Sequence, residues 1–309
     1  MNSRLDAAPD AGGPRPHGCG VPPTRAFHPL DPGVGTMSDT GLDATFIVGL
    51  HGVLDKHPWI EQVNAEFDLE EDVFSLAVQR ASAFAWSSTA LADEQTENLW
   101  DHNDAGGDWT PDGAVRQLAW LQASLPRPSH MPGRVRREPR LPVLPVFTVL
   151  ADALRRVGTV RLTGTHTLAP LHRAGDARVA LAENADWYTL ANPADATTLT
   201  VTVSALPSAR LAERADAIRE AALARTYGNM RVASCKPATA AATPGLARPL
   251  AGMVQAERLR LALAFRCDVR EWTTDVAAWT TEVFADSIRA VTGLSGLVLI
   301  AVSSDPAAA

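Results

Sequence analysis

The last third of the chain changes its hydrophobic period twice in the same order, and this constrains the fold more than any other feature. Thr197 to Ser204 reads TTLTVTVS, with Leu199, Val201 and Val203 alternating with polar residues. A period of two marks a half-buried strand. Pro207 to Tyr227 then shifts to helical spacing, with Leu211, Ala215, Ile218 and Ala222 in one stripe, and Met230 to Cys235 is short and extended. Leu259 to Phe265, Val269 to Thr292 and Leu294 to Val302 repeat the sequence of strand, helix and strand.

Two strand–helix–strand units in succession predict an α+β protein whose residues 197–303 form a ferredoxin-like βαββαβ sandwich. Its strands are expected at Thr197–Ser204, Met230–Cys235, Leu259–Phe265 and Gly296–Val302. Right-handed crossovers place both long helices on one sheet face. Asp268 with Glu271 reads as the capping box of the second helix, Trp272 and Trp279 as its buried face, and Gly293 as its end. The other sheet face, with Thr198, Thr200 and Thr202, is left for a protein partner or a second copy.

The first half reads as mostly helical over 37–125. Asp68 and Glu71 make a capping box for a helix from Leu69 to Ala85, a second covers Leu91 to Trp100, and Thr110-Pro111 opens a third through Leu125. Leu42 to Leu54 fits helix or strand, because Gly49 and Gly52 weaken an otherwise helical face. The prolines of 126–145 predict an extended linker, and 146–303 is the α+β region. Within it Val146–Val157 is expected as helix, and Thr159–Thr167, Arg178–Ala182 and Trp187–Leu190 as strands. Residues 1–36, rich in proline and glycine, and 304–309 are expected to be disordered ends.

Composition narrows the class of function. A net charge of −7 works against broad attraction to nucleic acid or an anionic membrane. The longest apolar run, Leu294 to Val302, is far short of the roughly 20 residues of a spanning helix. Three widely spaced cysteines, Cys19, Cys235 and Cys267, form no disulfide framework and suit a reducing cytoplasm. Cys235, at a strand end beside Lys236, is the more reactive thiol expected, and Cys267 lies at the far end of the neighbouring strand.

Three groups of residues carry candidate chemistry. Asp101 to Asp112, DHNDAGGDWTPD, partly follows a calcium loop, with Asp101, Asn103 and Asp112 as oxygen ligands, but Ala105 removes one ligand. A polar turn between helices explains the same residues. His51 and Asp55 lie one helical turn apart if that segment is helical, and His166 ends a predicted strand, so an enzyme site would have to bring His51, Asp55 and His166 together from a distance. His57 precedes Pro58, which turns it out of such a helix. Arg127, Arg134, Arg136, Arg137 and Arg140 form a basic linker that could track phosphates, although no aromatic residue lies among them. No nucleophile elbow, P-loop or dinucleotide fingerprint is present, and no cofactor is implied. The expectation is a bacterial binding or assembly module; a dispersed-site enzyme and nucleic-acid association through 127–140 are the alternatives.

Overall fold

Eight strands join into a single antiparallel sheet in the order β2-β3-β1-β4-β8-β5-β7-β6. The structure, a computed structural model, describes residues 45–67, 72–84, 86, 100–125, 140–206, 210–238, 243–248, 250, 259, 261–293 and 296–304. The strands are β1 Thr45–Lys56, β2 Asp101–Gly106, β3 Arg116–Ser124, β4 Gly158–Pro170, β5 Thr197–Ala205, β6 Arg231–Ala238, β7 Leu261–Val269 and β8 Leu297–Ser304. The helices are α1 Ile60–Phe67, α2 Val73–Ala83, α3 Val143–Val157, α4 Arg178–Thr189, α5 Ala215–Arg225 and α6 Thr274–Thr292.

This overturns the expected free-standing four-stranded ferredoxin-like sandwich preceded by a helical region. The C-terminal strands are half of a larger sheet, and β8 pairs along its length with β4, from Gly164↔Ser303 to Pro170↔Leu297. The stretch read as helical supplies three of the other four strands. Strand order in the first half, β2-β3-β1-β4, recurs in the second as β6-β7-β5-β8. The chain thus takes the same path twice, and the two halves meet edge to edge, so β8 and β4 from Gly164 onward are covered, while residues 158–163 of β4 have no strand partner on that side among the described residues.

Sheet-interior burial explains where pattern and structure part. Leu118, Ala119, Leu121 and Ala123 of β3 are all buried, so the strand is apolar on both faces and its spacing imitates a helix. The described part of the ambiguous stretch, from Thr45 on, belongs to β1, whose Phe46, Ile47, Val48 and Leu50 are buried on both sides. Arg178 to Thr189 is helix α4 instead of two strands, with Leu181, Ala185 and Tyr188 facing inward at helical spacing. The expected Asp68–Glu71 cap, the segment 87–99, the residues 1–44, the linker arginines 127–137 and the tail lie outside the described residues. Asp72 caps α2, accepting a hydrogen bond from Ser75 N at 2.8 Å.

Helices α3, α4 and α5 all pack against α6, which makes α6 the hub of the helical layer. Every residue from Val276 to Ile288 is buried, including Glu282 and Asp286. Its carboxylates are neutralised from its neighbours: Arg140 forks onto Glu282, while Arg225 Nε reaches Asp286 at 2.6 Å. The helix starts one cap later than expected, at Thr273, whose hydroxyl accepts from Val276 N at 3.2 Å, since Asp268 belongs to β7. Gly293, at φ 59°, ends it. Trp279 is buried, whereas Trp272 precedes the helix and is half-buried.

The second face of the sheet is covered over its middle, whereas Thr198 and Thr200 are half-buried and Arg266, opposite Thr200, is exposed. Thr202, Ser204, Ala262 and Ala264 are buried. Part of the cover is the β6–β7 connection: Gly245 O accepts from Thr163 Oγ1 at 2.7 Å, and Leu250 and Leu259 pack on Ile47, Leu168 and Leu299. The same register corrects the cysteines. Cys235 lies within β6 opposite Phe265, two pairing positions from Cys267, and not at the far end of the strand pair. That diagonal spans about 7–8 Å between Cα atoms, just beyond disulfide reach. Both thiols are free. Burial raises the Cys235 thiol above its ordinary pKa, with Asp216 adding to it, so it is no activated nucleophile. No helix among the described residues is long and apolar enough to cross a membrane.

Candidate functional site

Two histidines 115 residues apart in sequence meet in the middle of the sheet. Register pairs Gly49 with His166 and His51 with Gly164, so each imidazole faces a glycine across the β1–β4 ladder. The glycine at 49 is required by this contact: a methyl there would lie 2.1 Å from His166 Cε1. The rings, both buried, come within 2.8 Å, His51 Nε2 to His166 Nδ1.

The backbone fixes their protons. Ala247 N–H donates to His51 Nδ1 at 3.1 Å, so that nitrogen carries no hydrogen and Nε2 does. His51 Nε2–H then donates to His166 Nδ1, which leaves the His166 proton on Nε2. That atom is buried and meets no acceptor among the described residues. Burial, reinforced by the Arg248 guanidinium, holds His166 down at a pKa of about 3. Burial, His166 and Arg248, in that order, hold His51 well below the ordinary histidine range. Both rings are therefore neutral at pH 7. They join β1, β4 and the β6–β7 connection as a polar rivet.

Asp55 is not part of this pair. It is exposed toward the far end of β1, opposite Thr159, so the sequence-expected set His51, Asp55 and His166 assembles in two of its three members. Asp101, Asn103 and Asp112 do not assemble as a calcium loop. Asp101 and Asn103 lie on strand β2, and Asn103 Nδ2 donates to Ser124 Oγ at 2.7 Å. Asp112 is spent on Arg116, which also holds Asp108 at 2.8 Å. Among the described residues, no group of three or more histidine, cysteine or carboxylate side chains could hold a metal ion.

The open site lies elsewhere. A cleft of about 610 Å³ runs between the C-terminal end of α3, the first residues of β4 and the start of α6. Leu50, Ala151 and Leu154 make an apolar floor, and Trp272 makes a wall whose indole N–H donates to Leu162 O at 2.9 Å. His57, Arg155 and Arg161 supply its basic groups. Arg155 is paired with Asp152 outside the cleft at 2.8 Å, whereas Arg161 forms no ion pair among the described residues. His57 stacks on Trp59 with ring centroids 4.4 Å apart and planes 8° from parallel. Sequence reasoning passed over Arg155 and Arg161 and read Trp272 as part of a buried helix face. The alternation of β4 marks Arg161 as a strand residue facing out, but nothing local joins it to Trp272, which is 110 residues from its partner Leu162.

Scans of this chain against protein-family models, curated proteins and solved structures found no match.

Proposed function

We propose that this chain is a non-catalytic binding module that takes a small organic anion in the cleft between α3, β4 and α6. One observation carries the reading: His57, Arg155 and Arg161 line the cleft with no carboxylate among its lining, in a chain of net charge −7. Against that background a local field of positive sign selects an anion. The floor of Leu50, Ala151 and Leu154 with the Trp272 wall suits an apolar or aromatic body. Volumes of roughly 300–1,000 Å³ are those of small-molecule sites. The middle of the sheet face expected to bind is buried, which favours the cleft, and the histidine pair lacks the third group and the access that an enzyme reading needs.

Phenyl phosphate against neutral phenol is the probe pair, read by calorimetry and thermal shift. Phenyl phosphate is expected to bind and phenol not. Arg161→Ala should weaken binding by about 10-fold or more, the worth of one charge-assisted hydrogen bond. Equal response to both probes, or an affinity unchanged by Arg161→Ala, would refute the assignment.

A further inference from the structure

The cleft is one of three that converge on the last turn of α3. A second, of about 420 Å³, is bounded by Arg80, Arg155 and Arg156, and a third, of about 500 Å³, by Lys56, Trp59, Trp109 and Arg156. Arg155 is common to the first two and Arg156 to the last two. In the register of β1 against β4, Lys56 lies opposite Gly158 and Val53 opposite Arg161, so Lys56 and Arg161 share one end of the sheet but project from opposite faces, and it is Arg155 and Arg156 that link the three clefts.

Five arginines and lysines border the three clefts, against two carboxylates, Glu61 and Asp152. Both carboxylates are already engaged: Glu61 with Lys56 at 3.0 Å, Asp152 with Arg80 at 2.6 Å and Arg155 at 2.8 Å. Arg156 and Arg161 form no ion pair among the described residues, which leaves uncompensated positive charge in each of the three clefts. Asp55, exposed nearby, borders none of the clefts. Trp59, in the lining of the third cleft with Arg156, is 54% exposed and stacked flat on His57. An indole so exposed gains little from folding; held parallel to a second ring, it is a prepared stacking surface.

Neighbouring cations and an exposed flat aromatic beside them are the two elements of sequence-tolerant single-strand recognition. We infer that this end of the molecule binds a single-stranded nucleic acid, with phosphates along Arg155 and Arg156 and a base on Trp59. The inference rests on the anion-binding reading of the first cleft and names the ligand class for the linked clefts. An acidic peptide would satisfy the cations and leave the indole unused, so the base is what distinguishes the two.

Fluorescence anisotropy on the full chain with a labelled ten-nucleotide oligo-dT tests it, with oligo-glutamate as competitor and phenyl phosphate measured in parallel. Binding is expected, weakening about 50-fold between 50 and 200 mM salt if four phosphates are neutralised. Trp59→Ala should weaken the oligonucleotide about 5- to 150-fold and Trp59→Phe much less, because stacking is retained. Phenyl phosphate should be unaffected by either substitution. Oligonucleotide binding that ignores both Trp59→Ala and Arg156→Ala would place the strand elsewhere and overturn the inference. So would displacement by oligo-glutamate at equal charge concentration. Phenyl phosphate binding without oligonucleotide binding defeats this inference alone; failure of both ligands defeats the anion-binding reading with it.

Discussion

Lowering the pH should unfasten the sheet at His166, and the size of the effect follows from its burial. The ring is fully buried, neutral, and held at a pKa of about 3. An unfolded chain offers it a pKa near 6.5. Because the folded value is the lower one, the unfolded state takes up the proton first. Stability is complete above about pH 7 and is lost as the pH falls below about 6.5, continuing until the folded pKa is reached. At pH 5 the gap is about 1.5 pH units, or about 2 kcal/mol from His166 alone. His51 acts in the same direction. Urea unfolding at pH 7.5 and 5.0, on the natural chain and on the double substitution His51→Gln/His166→Gln, isolates this effect from the carboxylates common to both. Between the two pH values the natural chain should lose at least about 2 kcal/mol more than the doubly substituted protein does. Equal losses would mean that the rings are solvated, and the buried, proton-ordered pair would be wrong.

Two further perturbations probe the same core. Gly49→Ala drives a methyl to 2.1 Å from His166 Cε1, and should cost about 1–3 kcal/mol in a chemical melt at pH 7.5; an unchanged midpoint would show that the ring does not lie against β1. Arg140→Ala leaves Glu282, 4% exposed, without the cation that forks onto it, and should cost about 3 kcal/mol or more at pH 7.5. Burial already raises the Glu282 pKa, so part of that loss should be recovered at pH 5, where the carboxyl takes up a proton, and a loss that grows at low pH would contradict the assignment.

The sequence was most legible where one face of an element was polar. Strand β5 alternates threonine with Leu199, Val201 and Val203, and α6 begins and ends within a few residues of its expected bounds. It was least legible in the middle of the sheet. In β3 both faces are buried, so alternation, the evidence for a strand, is erased. The joining of β4 to β8 had no local signature either, because an edge that is covered by another edge needs no charge or proline to protect it. Of the site residues, His51 and His166 could be suspected from type alone. Their meeting depended on a register with irregularities beside His51, in both its ladders, and no spacing rule supplies that.

The two halves follow one path but have divided the work. Both histidines, the three clefts' cations and Trp59 belong to the first half. The second half contributes the pieces that complete them. Ala247 N–H orders the histidine protons from the β6–β7 connection, and Trp272 and Thr273, at the head of α6, close the first cleft. Neither half alone could make the cleft: without α6 its wall is missing, and without α3 and β4 its cations and floor are. The edge-to-edge union of β4 and β8 is therefore more than a way to hide two strand edges. It fixes the distance from the head of α6 to the first residues of β4, and the Trp272–Leu162 hydrogen bond at 2.9 Å is the contact by which one half of the chain sets the width of the site in the other.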